Sequence, residues 1–127
     1  RTVQAAGAQL GVPPDRTVLG GFSQGGIMAL SLLRTRPELL HAAMVMHGRL
    51  LPEVDTLEGP PEALQGKALW VSHGQQDGVI PLPSAQAIRD WATARPLALR
   101  YREFLGAHEI RLEELQAAMG WVDQRAG

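Results

Sequence analysis

The stretch Val18-Leu19-Gly20-Gly21-Phe22-Ser23-Gln24-Gly25-Gly26 decides how the rest of the chain is read. An apolar run from Thr17 ends at Phe22, glycines bracket a serine, and Ile27, Leu30 and Leu33 then begin a helical spacing. Met28, Ser31 and Leu32 share that spacing, which runs to Arg36 before Pro37 ends the helix. The run Thr17 to Phe22 reads as a short strand buried on both faces. Gly21-Phe22-Ser23-Gln24-Gly25 is therefore G-x-S-x-G set between a strand and a helix. In that setting a sharp turn projects the serine hydroxyl from the end of a sheet. Small neighbours let other backbones pass close to the turn, and the new helix aims its first amides at the same point. A glycine-rich turn carrying an idle serine has the same pattern, so the pentapeptide alone leaves both readings open.

Working outward, Val3, Ala6 and Leu10 share one face of a helix that Gly11 and Pro13-Pro14 close. His41 to Met46 reads as a buried strand stopped by Gly48, and residues 50–66 as a long loop with room for one short helix. Ala68 to Ser72 is a third strand. Ser84 is placed to cap a helix that buries Ile88, Trp91 and Ala92 and breaks at Pro96. Leu97 to Phe104 alternates as a strand does, and Ile110, Leu115, Met119 and Val122, with Trp121, outline a last amphipathic helix. Strand and helix alternate throughout, which predicts an α/β fold: a mostly parallel sheet with helices on both faces. The 127 residues suit a single domain, 1–127.

Composition excludes several classes. Twelve basic residues against thirteen acidic leave a net charge of −1, which argues against a nucleic-acid partner. No apolar stretch approaches the length of a membrane span, so no integral membrane role is expected. Cysteine is absent, which removes disulfides, thiolate metal sites and a cysteine nucleophile, and fits a reducing, cytoplasmic setting.

A serine hydroxyl needs a base, and the base needs an orienting group. In a sheet of this kind both should follow the serine, acid before histidine, just past the ends of later strands. Asp77, in His73-Gly74-Gln75-Gln76-Asp77-Gly78-Val79-Ile80-Pro81, follows the third strand, and His108, in Gly106-Ala107-His108-Glu109, follows the fourth. Ligand sites of open α/β sheets gather at those strand ends. Each residue has a plainer alternative: aspartate is common in Gly-flanked turns for local hydrogen bonding, and His108 is placed to cap the last helix. His73 precedes the acid and reads as a buried support for the Asp77 loop, His41 as a surface residue, and His47 as a residue near the site at a strand end. A metal centre from His73, Asp77 and His108 matches no ligand spacing. Leu50, Leu51, Val79, Ile80 and Leu82 flank the site, either as acyl-pocket lining or as loop packing.

Leu19-Gly20-Gly21-Phe22-Ser23-Gln24-Gly25-Gly26, His73-Gly74-x-x-Asp77-x-Val79-Ile80-Pro81 and Gly106-Ala107-His108-Glu109-Ile110 together resemble the phospholipase/carboxylesterase family of α/β-hydrolases, which includes the acyl-protein thioesterases. Gly11-Val12-Pro13-Pro14-Asp15-Arg16 resembles that family's approach to the serine turn. The resemblance implies Ser23 as nucleophile, Asp77 as acid, His108 as base and the Gln24 amide as an oxyanion donor, with no cofactor or metal. It implies hydrolysis of carboxylic esters, and of thioesters or lysophospholipids by extension. A serine peptidase of the same fold and a non-catalytic, dimerising half-domain are the alternatives. His47 stands where the family usually has a small residue. The family also carries earlier strands and a second oxyanion donor ahead of the serine strand, so the chain reads as the C-terminal part of a longer domain. On that reading Val18-Leu19-Gly20 forms an open edge suited to homodimer pairing, and the chain alone is a poor esterase.

Overall fold

The computed structural model describes residues 14–126. The helix read over residues 1–10 lies outside them. From the 3-10 turn Pro14–Arg16 the chain enters β1 (Val18–Phe22), turns at Ser23 and runs into α1 (Gln24–Thr35). Then follow β2 (Ala42–Met46), β3 (Ala68–Gly74), α2 (Leu82–Thr93), β4 (Ala98–Phe104) and α3 (Leu112–Ala126). The four strands form one sheet in the order β1-β2-β3-β4, with every pair parallel.

The two faces of the sheet follow from the period-two alternation of the strands. Ala43 and Val45 of β2 and Leu69 and Val71 of β3 face one way, onto Ala29, Leu30 and Leu33 of α1 and Ala85, Ile88 and Ala92 of α2. Ala42, Met44 and Met46, with Ala68 and Trp70, face the other way, onto Ala118 and Trp121 of α3. β2 and β3 are covered on both faces and are buried along their whole length, as near-continuous apolar strands of a parallel sheet should be.

Four details differ from the sequence reading. β1 is only half-buried, because among the described residues it has β2 alone beside it. β3 extends to Gly74, so His73 lies inside the strand. α2 begins at Leu82 with Pro83 in its first turn, and Pro81, not Ser84, is its cap residue. Proline suits that first turn, where an amide would lack an intrahelical partner. Last, α3 buries Glu114, Ala118 and Trp121, at helical spacing, while Ile110, Leu115 and Met119 are exposed. The helix is turned so that a carboxylate, not the leucine–methionine stripe, points into the sheet.

The loop after β2 forms two 3-10 turns, Pro52–Leu57 and Pro61–Leu64. Buried Arg34 of α1 holds the first of them. Its guanidinium donates to Glu58, Asp55 and the Leu51 carbonyl, and Glu58 also accepts from Trp91 and Arg95.

The serine turn explains its own glycines. A Cβ on Gly21 would lie 2.9 Å from the Gly25 Cα, and one on Gly26 would lie 2.8 Å from the Gly21 carbonyl oxygen. A Cβ on Gly25 meets nothing within 4 Å. Gly26→Ala should therefore destabilise the fold by about 1–3 kcal/mol, whereas Gly25→Ala should be neutral or stabilising by up to about 1 kcal/mol. Chemical unfolding midpoints of the two variants check this, and equal losses would contradict it.

Candidate active site

Ser23 joins β1 to α1 with φ 57° and ψ −114°, a positive φ on a residue that has a Cβ. Such a conformation costs on the order of 1–3 kcal/mol and persists only where its surroundings impose it. Here they do: the Ser23 amide donates to the Met46 carbonyl at 2.8 Å, and the Ser23 carbonyl accepts from the Ile27 amide at 2.9 Å. The hydroxyl is thus fixed beside the N-terminus of α1. Gln24 is the first residue of that helix, and first-turn amides have no intrahelical partner.

Asp77 follows β3 in a turn that uses both of its oxygens. Oδ1 accepts from the amides of Val79 and Ile80, each at 2.8 Å. This is the local role expected of an aspartate in a Gly-flanked turn. Oδ2 is hydrogen-bonded to two imidazoles, His108 Nδ1 at 2.7 Å and His47 Nδ1 at 2.9 Å, and a third, His73 Nε2, lies 3.5 Å away. Burial opposes ionisation of Asp77, but hydrogen bonds from His108, His47 and the Ile80 and Val79 amides outweigh it and hold the carboxyl well below its ordinary range.

His108 stands half-buried after β4, with Nε2 3.1 Å from Ser23 Oγ. A carboxylate only accepts, so the Nδ1 proton points to Asp77 and Nε2 is left to accept from the serine hydroxyl. The two loops that carry Asp77 and His108 are tied together. The Gln75 and Gln76 amides donate to the carbonyls of Phe104 and Gly106, and the Gly106 amide donates to Gln76 Oε1 at 2.7 Å. Gly74 lies so close under this crossing that a Cβ would meet the Ala107 carbonyl oxygen at 2.5 Å. Phe22 packs its ring 4.8 Å from that of His108.

The structure thus brings Ser23, Asp77 and His108 together, with Gln24 beside them. His73 supports the Asp77 loop, as its position suggested: its buried Nε2 donates to the Ile80 carbonyl at 2.6 Å. Burial lowers its pKa. Of the flanking apolar residues, Ile80 is buried, Leu50 and Leu82 pack on the core, and Val79 is exposed. They belong mostly to loop packing.

His47 is where sequence reasoning falls short. It is fully buried beneath Asp77 with φ 57°, its ring stacked 5.1 Å from that of His73. Its Nε2 lies 3.0 Å from Glu114 Oε1, and Glu114 Oε2 accepts from the Ser72 hydroxyl at 2.6 Å. Ser72 accepts in turn from Trp70 Nε1 at 3.0 Å. Burial would lower the His47 pKa, but the hydrogen bonds to Glu114 and Asp77 raise it overall. Glu114 and Ser72 carry no motif. The one available signal is spacing: Glu114 falls on a helical face with Ala118 and Trp121.

The ligand-type atoms of His47, His73 and Asp77 lie within 4.8 Å of one another. Both His47 nitrogens already face carboxylates, and His73 Nε2 serves Ile80. The cluster's atoms are thus engaged in hydrogen bonds with one another and with Glu114 and Ile80, apart from His73 Nδ1, which has no partner among the described residues.

Among the described residues no helix is long and apolar enough to cross a membrane. Residues 2–124 match the phospholipase/carboxylesterase family model. The chain is 30% identical over 118 residues to acyl-protein thioesterase 1 of Neurospora crassa, covering 91% of this chain and 48% of that protein. The carboxylesterase SOBER1 of Arabidopsis thaliana is 26% identical over 118 residues, covering 91% of this chain and 51% of that protein. The chain thus spans about half the length of these curated relatives. Among solved structures, SOBER1 superposes with a TM-score of 0.81 at 24% identity, over 98% of this chain and 61% of that one. A Bacillus cereus carboxylesterase gives 0.83 at 19% identity, over 97% and 56%. These likenesses show the α/β-hydrolase fold, and by the family match over residues 2–124 the chain belongs to the phospholipase/carboxylesterase family of α/β-hydrolases.

Proposed function

We propose that this chain carries the acyl-transfer centre of a serine carboxylesterase, with Ser23 as nucleophile, His108 as general base and acid, and Asp77 as the orienting carboxylate. The observation that carries this reading is the unbroken relay from Ser23 Oγ to His108 Nε2 at 3.1 Å and from His108 Nδ1 to Asp77 Oδ2 at 2.7 Å. A strained serine turn at a helix N-terminus is the geometry that exposes such a hydroxyl.

In this mechanism the Ser23 oxygen attacks an ester carbonyl as its proton passes to His108 Nε2. Asp77 keeps the Nδ1 proton in place and stabilises the imidazolium that forms. The Gln24 amide, at the start of α1, donates to the oxyanion. His108 then protonates the leaving oxygen, which departs as the alcohol. Water attacks the acyl-serine by the same route, His108 takes its proton, and Ser23 is regenerated as the acid leaves. Relatives named carboxylesterase and acyl-protein thioesterase support esters first and thioesters second as substrates.

A short-chain aryl ester is the substrate of choice for the test, with an aryl anilide of the same acyl group as the peptidase control. Slow ester turnover without anilide turnover, lost in Ser23→Ala, is the expected result for this chain alone; anilide cleavage at a comparable rate would favour a peptidase. Asp77→Asn should lower the ester rate about 10³–10⁴-fold, and an unchanged rate would remove Asp77 from the mechanism. Stability supplies a second readout. Because the Asp77 pKa is depressed in the folded state, its contribution is full above the ordinary carboxylate range and is lost as pH falls through the depressed value. The wild-type advantage over Asp77→Asn in urea midpoint should therefore shrink below about pH 4. An advantage that grows on acidification would contradict the assignment.

A further inference from the structure

On the reading above, Asp77 must hold one orientation and one charge, yet His108 is not its only imidazole partner. The directions of the hydrogen bonds around His47 can be worked out from one end. Trp70 Nε1 can only donate, so Ser72 Oγ accepts from it, and the Ser72 hydroxyl proton points to Glu114 Oε2. Glu114 Oε1 then faces His47 Nε2 at 3.0 Å, and Asp77 Oδ2 faces His47 Nδ1 at 2.9 Å. Asp77 already accepts three other hydrogen bonds, two from amides and one from His108. It serves His47 as an acceptor too. A carboxylate only accepts, so the hydrogen between Glu114 Oε1 and His47 Nε2 is placed on the imidazole. Both ring nitrogens of His47 then carry hydrogen.

We propose that His47 is a positioning residue of this site: an imidazolium clamped between Asp77 and Glu114 that fixes the Asp77 carboxylate toward His108 and offsets part of its charge. Glu114, anchored by Ser72 and Trp70, keeps the proton on His47. Five elements around the ring each contribute a neighbour, among them β1, whose Phe22 ring lies 5.2 Å away. Asp77 comes from the turn after β3, Glu114 from α3, His73 from β3 with its ring 5.1 Å away, and His108 from the loop after β4 with its ring 5.7 Å away. His73 donates to Ile80 through Nε2, and its Nδ1 has no partner among the described residues, so it sits beside His47 as a neutral ring. The upward pKa shift of His47 agrees with this arrangement. The positive φ of His47, 57°, shows that the backbone is held against its preference to place the ring there.

Phosphonylation of Ser23 by a fluorophosphonate, followed against pH, tests the proposal together with nitrogen-15 histidine NMR of the wild-type chain. Asparagine accepts a positive φ and sets its amide where His47 Nδ1 lies, so His47→Asn keeps the donor to Asp77 and removes the charge. The expected result is a plateau rate lowered about threefold, less than in alanine, and an acid limb moved up by about one pH unit, since a nearby positive charge no longer opposes protonation of His108. His47→Ala loses the donor and should drop the plateau about tenfold or more. An unmoved acid limb in His47→Asn overturns the proposal, as does an asparagine variant no better than alanine. NMR of the wild type should show both His47 ring nitrogens protonated at neutral pH, with one of them losing its proton in Glu114→Gln. A singly protonated ring in the wild type overturns the proposal even if no variant folds. Failure of wild-type Ser23 to label overturns the acyl-transfer reading instead and leaves the NMR result to decide the state of His47.

Discussion

Much of this structure depends on how one buried carboxylate is satisfied. Asp77 takes hydrogen bonds from two backbone amides and two imidazoles, and each of the four comes with its own consequence. The amides of Val79 and Ile80 close the turn after β3 and give the aspartate a reason to be there whatever the chemistry. His108 links it to Ser23. His47 links it to Glu114 and so to the last helix. A buried, ionised group left unpaired is too costly to persist, so the fold has to deliver all of these donors at once.

The sheet makes that delivery feasible. Parallel strands put the ends of β1, β2, β3 and β4 side by side, and the residues just beyond them are Ser23, His47, Asp77 and His108. None of the four needs a long loop to reach the others. The glycines at 21, 26 and 74 allow backbones to cross closely enough for this convergence. Strain collects there as well: Ser23 and His47 are the non-glycine residues with positive φ among those described. The left-handed conformation of one serves the hydroxyl, and that of the other serves the ring beneath it.

Much of this was legible in the sequence, for physical reasons. The strand–turn–helix at Gly21-Phe22-Ser23-Gln24-Gly25 has a local steric cause, and Asp77 and His108 follow strands whose apolar runs are plain. The supporting role of His73 was legible too, because a histidine at a buried strand end needs a partner, although the Ile80 carbonyl that serves it was not. What was not legible was set by tertiary packing. Leu115 and Met119 are apolar and one helical turn apart, yet they are exposed, and α3 turns Glu114 inward, where His47 and Ser72 receive it. A glutamate on an amphipathic helix is ordinarily read as solvated, and only its buried partners reverse that. β1 has the composition of an interior strand and, as the half-domain reading expected, lies at an edge among the described residues. Composition reports what a strand is able to bury, not what lies beside it.

The central claim is that Ser23 is activated by the His108–Asp77 pair. The most direct measurement is the site of covalent labelling by a fluorophosphonate, located by peptide mass spectrometry in the wild type and in His108→Ala. The expected result is label on Ser23 in the wild type and a loss of at least about a hundredfold in labelling rate when the base is removed. Label on another residue, or an unchanged rate at Ser23 without His108, would contradict it.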